Sequence, residues 1–106
     1  MNVKFYRTAD GQNLFLNWFK HLKDGKAKQK IQARLIRLES NNLGKHRFVA
    51  GALAELKIDH GSGYRVYCGM DGETLIIVLC GGDKTTQQKD IELAKGYWDE
   101  YRNRNC

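Results

Sequence analysis

Downstream of Gly51 the chain alternates apolar and polar residues with a period of two. Ala54, Leu56 and Ile58 interleave with Glu55, Lys57 and Asp59, and Tyr64, Val66 and Cys68 interleave with Arg65, Tyr67 and Gly69. Each pattern predicts a half-buried strand. A continuous apolar run, Leu75 to Cys80, predicts a third strand that is buried. Asp71-Gly72 before that run is a two-residue hairpin signal.

Elsewhere the spacing is helical. Leu14, Phe15, Trp18, Phe19 and Leu22 share one face of a helix that Thr8 or Asp10 can cap, and Gly25 breaks the pattern. Ala27, Ile31, Leu35 and Leu38 form the stripe of a second helix, stopped by Asn41 to Gly44. A last helix from Thr85 or Thr86 carries Ile91, Ala94, Trp98 and Tyr101 on one side. Val3 to Arg7 and Lys45 to Ala50 add two short strands. The order β-α-α-β-β-β-β-α predicts an α+β fold over residues 1–106 as a single domain. Its core is a small antiparallel sheet with two N-terminal helices and a C-terminal helix.

The apolar pattern also constrains register. Ile58 and Leu56 must face the same core as Val66 and Cys68, which requires an odd number of loop residues. The loop is then either Gly61-Ser62-Gly63 or the five residues from Asp59 to Gly63. Both choices put Lys57 and Arg65 on the opposite face, paired directly in the longer loop and diagonally in the shorter. Two cations this close repel unless an anion lies between them, which points to a ligand site. A two-residue turn at Asp71-Gly72 pairs Met70 with Glu73 and sets Val78 across from Arg65. The cationic face then carries an apolar strip at Ile76 and Val78, open to a helix or a partner.

Composition narrows the partner. The 106 residues carry 18 Lys/Arg against 12 Asp/Glu, a net charge of +6, which favours encounter with polyanions. No apolar run reaches membrane-spanning length, and MNVKFYRTADG has no signal-like apolar region. Cys68, Cys80 and Cys106 lack CxxC or CxxH spacing, so reduced thiols in a cytoplasm are expected, with no metal or other cofactor. A metal set of His60, Cys68 and Cys80 has no recognised ligand spacing. Lys26, Lys30, Arg34 and Arg37 form a basic ridge beside the second helix's apolar stripe. It can track a nucleic-acid backbone or serve as the solvated face of an amphipathic helix.

GYRVYCG, the hairpin and apolar strand after it, and GGDKTTQQKDIELAKGYW together resemble the RelE/HigB-type toxins of type II toxin–antitoxin modules. The resemblance is strongest to the branch called addiction-module killer proteins, within the RelE/ParE superfamily, and runs from Leu53 to Trp98. It implies a small cytoplasmic mRNA interferase, a metal-independent endoribonuclease that cuts mRNA on the ribosome. It also implies a cognate antitoxin, a helix-turn-helix protein from the adjacent gene. The arginine of the YR dipeptide, here Arg65, is implied to contact the scissile phosphate. Lys57 matches a basic residue on the preceding strand, and Lys84 one just before the last helix. The tyrosine or histidine that assists proton transfer in well-known members has no counterpart in Thr85-Thr86-Gln87-Gln88-Lys89-Asp90. A ParE-like gyrase inhibitor and an inactive relative acting as a binding module or co-repressor are the alternatives.

Cleavage of RNA without metal needs the 2′-hydroxyl deprotonated, the phosphorane charge stabilised and the leaving oxygen protonated. Arg65 suits the second task, since a guanidinium can donate two parallel hydrogen bonds to phosphate. Lys57 and Lys84 add charge, and a lysine crowded by cations releases its proton more readily. His60, at the mouth of the hairpin, is either the acid/base imidazole or an ordinary loop histidine. Asp83 and Asp90 either position Lys84 or serve as helix-start carboxylates, with the capping role favoured.

Overall fold

Capping side chains set where each helix begins in the computed structural model, which describes residues 1–104; Cys106 lies outside the described residues. Asn13 accepts from Leu16 N at 3.0 Å and opens α1 (Leu14–Lys20). Thr8 and Asp10 are not the cap, because Thr8 to Gln12 close into a turn on themselves, with Gln12 N donating to Thr8 Oγ1 at 3.0 Å. Asp24 caps α2 (Gly25–Leu38) through Ala27 N at 3.1 Å, so Gly25 is that helix's first residue rather than a break. Asp83 caps a short 3-10 turn (Lys84–Thr86) that runs into α3 (Gln87–Arg104).

Among the described residues the strands are β1 (Asn2–Phe5), β2 (His46–Ala50), β3 (Leu53–Ile58), β4 (Tyr64–Asp71) and β5 (Leu75–Gly82). They form one five-stranded sheet in the order β1-β5-β4-β3-β2. The α+β class and the element order agree with the sequence pattern, but the sheet is mixed. β1 runs parallel to β5, while the other neighbours are antiparallel. Three hairpin reversals separate β2 from β5, so those two strands run oppositely. The two-helix crossover from β1 must therefore deliver the chain to the far edge running against β1.

Each face of the sheet has its own core. α1 and α2 cover Leu56, Ile58, Val66, Cys68, Ile76 and Val78 with Phe15, Ala27, Ile31 and Leu38. α3 covers Leu53, Tyr67, Ile77, Leu79 and Cys80 with Ile91, Ala94 and Trp98. Fully burying one such aliphatic side chain stabilises by about 1.5–3 kcal/mol. The aromatic cluster of α1 belongs to this packing, with Phe15 and Phe19 stacked at 5.6 Å. Ile76 and Val78 are fully buried beneath α1 and α2. The expected apolar strip beside the cations is therefore not there.

The reason is the β4–β5 register. The turn holds three residues, with Asp71 opposite Leu75 and Met70 opposite Ile76, and Gly72 sits at φ +69°. A bulge then leaves Leu79 as an extra residue between the Cys68–Val78 and Tyr67–Cys80 pairs. Leu79 and Cys80 both join the α3-side core. Beyond the bulge Arg65 lies opposite Gly82 instead of Val78.

Missing side chains let the helices approach. A Cβ on Gly69 would lie 2.2 Å from the Trp98 ring, and one on Gly81 would lie 2.4 Å from Trp18. We expect Gly69→Ala to destabilise the fold by about 2–3 kcal/mol through overpacking against Trp98. Gly96→Ala, at an open position within α3, should instead stabilise it by about 0.5–1 kcal/mol. Urea unfolding of the two variants beside the parent checks both signs, and a neutral Gly69→Ala would contradict this account of α3 docking.

Candidate functional site

The sheet ends in a cluster of cations because of the longer hairpin. Lys57 pairs directly with Arg65 and Ile58 with Tyr64, so the loop is Asp59 to Gly63. Lys84 N donates to Ser62 O at 3.3 Å and ties the strand–helix junction to that loop. Lys57, Arg65, Lys84 and His60 thereby line one open hollow of about 450 Å³. The His60 ring meets Asp24 Oδ2 through Nε2 at 3.0 Å. A carboxylate in its ionised form only accepts, so Nε2 carries the proton and a neutral ring keeps its lone pair on Nδ1.

Beside this hollow lies a second cavity, of about 310 Å³, sharing Lys57 and Arg65 and lined further by Lys45, His46, Arg47, Glu55 and Gln87. Glu55 is buried, 3% exposed, in its floor. Its Oε1 accepts from Arg47 Nε at 2.8 Å, and its Oε2 accepts from Tyr67 Oη at 2.9 Å and Gln87 Nε2 at 3.0 Å. Arg65 Nε stands 3.8 Å from the same Oε2. Burial alone would raise the Glu55 pKa, but the hydrogen bonds from Arg47, Gln87 and Tyr67 outweigh it and hold the carboxyl below its usual range. With these donors on both oxygens, Glu55 orients its neighbours rather than accepting a substrate proton.

Arg65 is therefore not the exposed cation that strand alternation suggested. It is 6% exposed, with Nη1 donating to Gly63 O at 2.6 Å. Part of the anion expected between Lys57 and Arg65 is supplied by the chain itself, as Glu55. Lys57 is freer, 41% exposed and 3.7 Å from Asp59. Gly82, opposite Arg65, lets Asp90 approach the strand, because a Cβ there would fall 1.8 Å from Asp90 Oδ2. Asp90 accepts from the Thr86 hydroxyl rather than capping the helix. Burial raises its pKa despite that bond.

The basic ridge of α2 is not evenly exposed. Lys26, Lys30 and Arg37 are exposed, but Arg34 is buried. Its Nη1 donates to Lys57 O at 2.5 Å, and its Nη2 donates to Leu43 O and Lys45 O at 2.6 and 2.8 Å. Arg34 is thus a strut under Lys45 and Lys57, not a surface contact for RNA. Gly44, at φ +63°, leaves the guanidinium its space. Lys30 and Arg37 flank the buried Arg34 along one shallow groove with Ile58 and Asp59.

The thiols also part company. Cys68 packs on the α1/α2 side and Cys80 on the α3 side, while His60 is held by Asp24. The three do not assemble a metal set. Burial pushes the Cys80 thiol up to about 12 and raises Cys68 as well, so neither offers a ready thiolate. Glu55, Arg47, Gln87 and His46 are the site residues that sequence reasoning missed. Alternation did contain a signal for Glu55: it shares a face with Lys57, and the five-residue loop sets it opposite Tyr67.

Comparison with known proteins places this chain in a family. Residues 17–98 match the family described as phage derived protein Gp49-like (DUF891). An uncharacterized protein of Haemophilus influenzae is 49% identical over 81 residues, covering 76% of this chain and 82% of the relative. The chain belongs to the Gp49-like family.

Replacing the Glu55 carboxylate tests its role. At neutral pH Glu55→Gln should cost about 2 kcal/mol, the scale of lost hydrogen bonds to a charged group. The folded-state pKa of Glu55 is depressed. Its stabilisation is therefore present above the unfolded carboxyl pKa and is lost as pH falls through the folded value. Unfolding free energies of parent and variant should converge as the solution is acidified below about pH 4. A gap independent of pH would show that the charge is not what stabilises.

Proposed function

We propose that this Gp49-like protein is the toxin of a toxin–antitoxin pair and acts by endonucleolytic cleavage of mRNA on the ribosome in the cytoplasm. The observation that supports this most is the convergence of Lys57, Arg65 and Lys84, with His60, around one open hollow at the end of the sheet. The resemblance of GYRVYCG and GGDKTTQ to RelE/HigB-type toxins supports the same reading.

In this reading Arg65 stabilises the phosphorane. Nη1 is anchored to Gly63 O and Nε faces Glu55, while Nη2 makes no hydrogen bond among the described residues. Held this way, the guanidinium has little reorganising to do when charge develops on the phosphate. Lys57 and Lys84 add charge from the two sides of the hollow. His60, fixed through Nε2 by Asp24, takes the 2′-hydroxyl proton on Nδ1. The exposed cations Lys26, Lys30 and Arg37 extend the attraction for RNA along α2.

Inducing the chain alone in bacteria and mapping RNA 5′ ends should reveal new cuts within coding regions. Intact transcripts with arrested replication would overturn the nuclease reading in favour of gyrase inhibition. Arg65→Ala should lose toxicity, since a missing charge-assisted phosphate contact costs roughly 2–4 kcal/mol in the transition state. Because Arg65 is buried, Arg65→Lys accompanies it, keeping a charge beside Glu55 while losing the fork. A folded Arg65→Lys protein of full toxicity would remove the guanidinium from the mechanism. Lys57→Ala and Lys84→Ala should show milder losses.

A cognate antitoxin encoded beside this gene should co-purify with the chain and restore growth. Its contacting segment should be acidic, so that association slows as salt rises. Recovery of no partner from the native host would count against the pairing.

A further inference from the structure

The cavity beside Arg65 holds more donors than one phosphate uses. Its lining has four cations, Lys45, Arg47, Lys57 and Arg65, against a single carboxylate, Glu55. That carboxylate is engaged from within the protein. Arg47 meets it only through Nε, and its terminal nitrogens make no hydrogen bond among the described residues. The Arg47 side chain is nevertheless 60% exposed. A guanidinium held by its inner edge, with its outer nitrogens free at a cavity, is arranged as an anion fork.

Resting on the nuclease reading above, we propose that this cavity is a second phosphate subsite. Arg47 and Arg65, oriented from opposite sides by Glu55, grip consecutive backbone phosphates of single-stranded RNA. Arg65 takes the scissile phosphate and Arg47 its neighbour. Lys45 and Lys57 stand at the rim, and Arg34 fixes both through their carbonyl oxygens. A phosphate contact carries no base information, so the contribution of Arg47 is independent of sequence.

The test is binding of a 2′-O-methyl RNA oligomer, which cannot be cleaved, measured by fluorescence anisotropy across a salt series. For a single strand the logarithmic salt slope should become shallower by about 0.7 in Arg47→Ala, the share of one phosphate contact. Affinity should fall about tenfold, equally for oligomers of different sequence. Inorganic phosphate at the same ionic strength should compete poorly if the subsite reads a backbone rather than a free anion. An effective phosphate competitor would overturn the two-phosphate grip. Arg47 lies on an edge strand, and in its absence Tyr67 and Gln87 still donate to Glu55; circular dichroism verifies that the variant folds. A looser Glu55 alone would leave the salt slope unchanged, and that result overturns the proposal. If Arg65→Ala weakens RNA binding while Arg47→Ala does not, the inference fails and the nuclease reading stands. If the parent shows no salt-dependent binding, the reading fails and the subsite with it.

Discussion

Taking a carboxylate out of water costs several kcal/mol unless donors replace the lost solvent. Glu55 meets that condition with Arg47, Tyr67 and Gln87, from β2, β4 and the start of α3. Three elements distant in sequence thus converge on one side chain. The same carboxylate stands near Arg65 Nε, which has no hydrogen bond of its own. A buried guanidinium without a nearby anion would be costly. The site's arginine is tolerable where it stands because Glu55 is there.

Backbone geometry makes this convergence possible. The bulge at Leu79 shifts the last residues of β5 by one, so that Gly82 rather than Gly81 lies opposite Arg65. Gly82 in turn lets Asp90 and Thr86 sit close over the strand. The start of α3 is then near enough for Gln87 to reach Glu55. In GGDK the four residues act in series: Gly81 accommodates Trp18, Gly82 accommodates Asp90, Asp83 caps, and Lys84 meets the hairpin loop.

Apolar periodicity read the element order and the face that Lys57 and Arg65 share, because these follow from which residues must leave water, while it left their pairing open between direct and diagonal. It failed where polar groups decide. Asn13 outcompeted Thr8 and Asp10 as a cap because Thr8 is closed into its own turn. Arg34 looked like one step of a solvated ridge, yet its guanidinium found three carbonyls. The bulge has no apolar signature, since Leu79 and Cys80 fit a continuous run in any register. The turn misled more: reading Asp71-Gly72 as a two-residue turn, where the loop holds three residues, placed Val78 beside Arg65 and invented an exposed strip. Glu55 was visible in the alternation, but its donors come from three separate segments, which alternation within one strand does not reveal.

These corrections change what the site asks of its partner. If Lys57 and Arg65 were an uncompensated pair, any single anion would relieve them. Glu55 already offsets part of that repulsion from below, and Asp59 lies near the Lys45 and Lys57 ammonium groups. What remains is an outward excess spread over Arg47, Lys57 and Lys84, on three separate segments around Arg65. A point charge can satisfy only one of these at a time. A chain of phosphates, or a segment carrying several carboxylates, can meet them together while displacing several counterions. The inner carboxylate thus biases the cationic surface towards extended polyanions, which is the chemistry that the proposed RNA substrate and the proposed acidic antitoxin segment have in common.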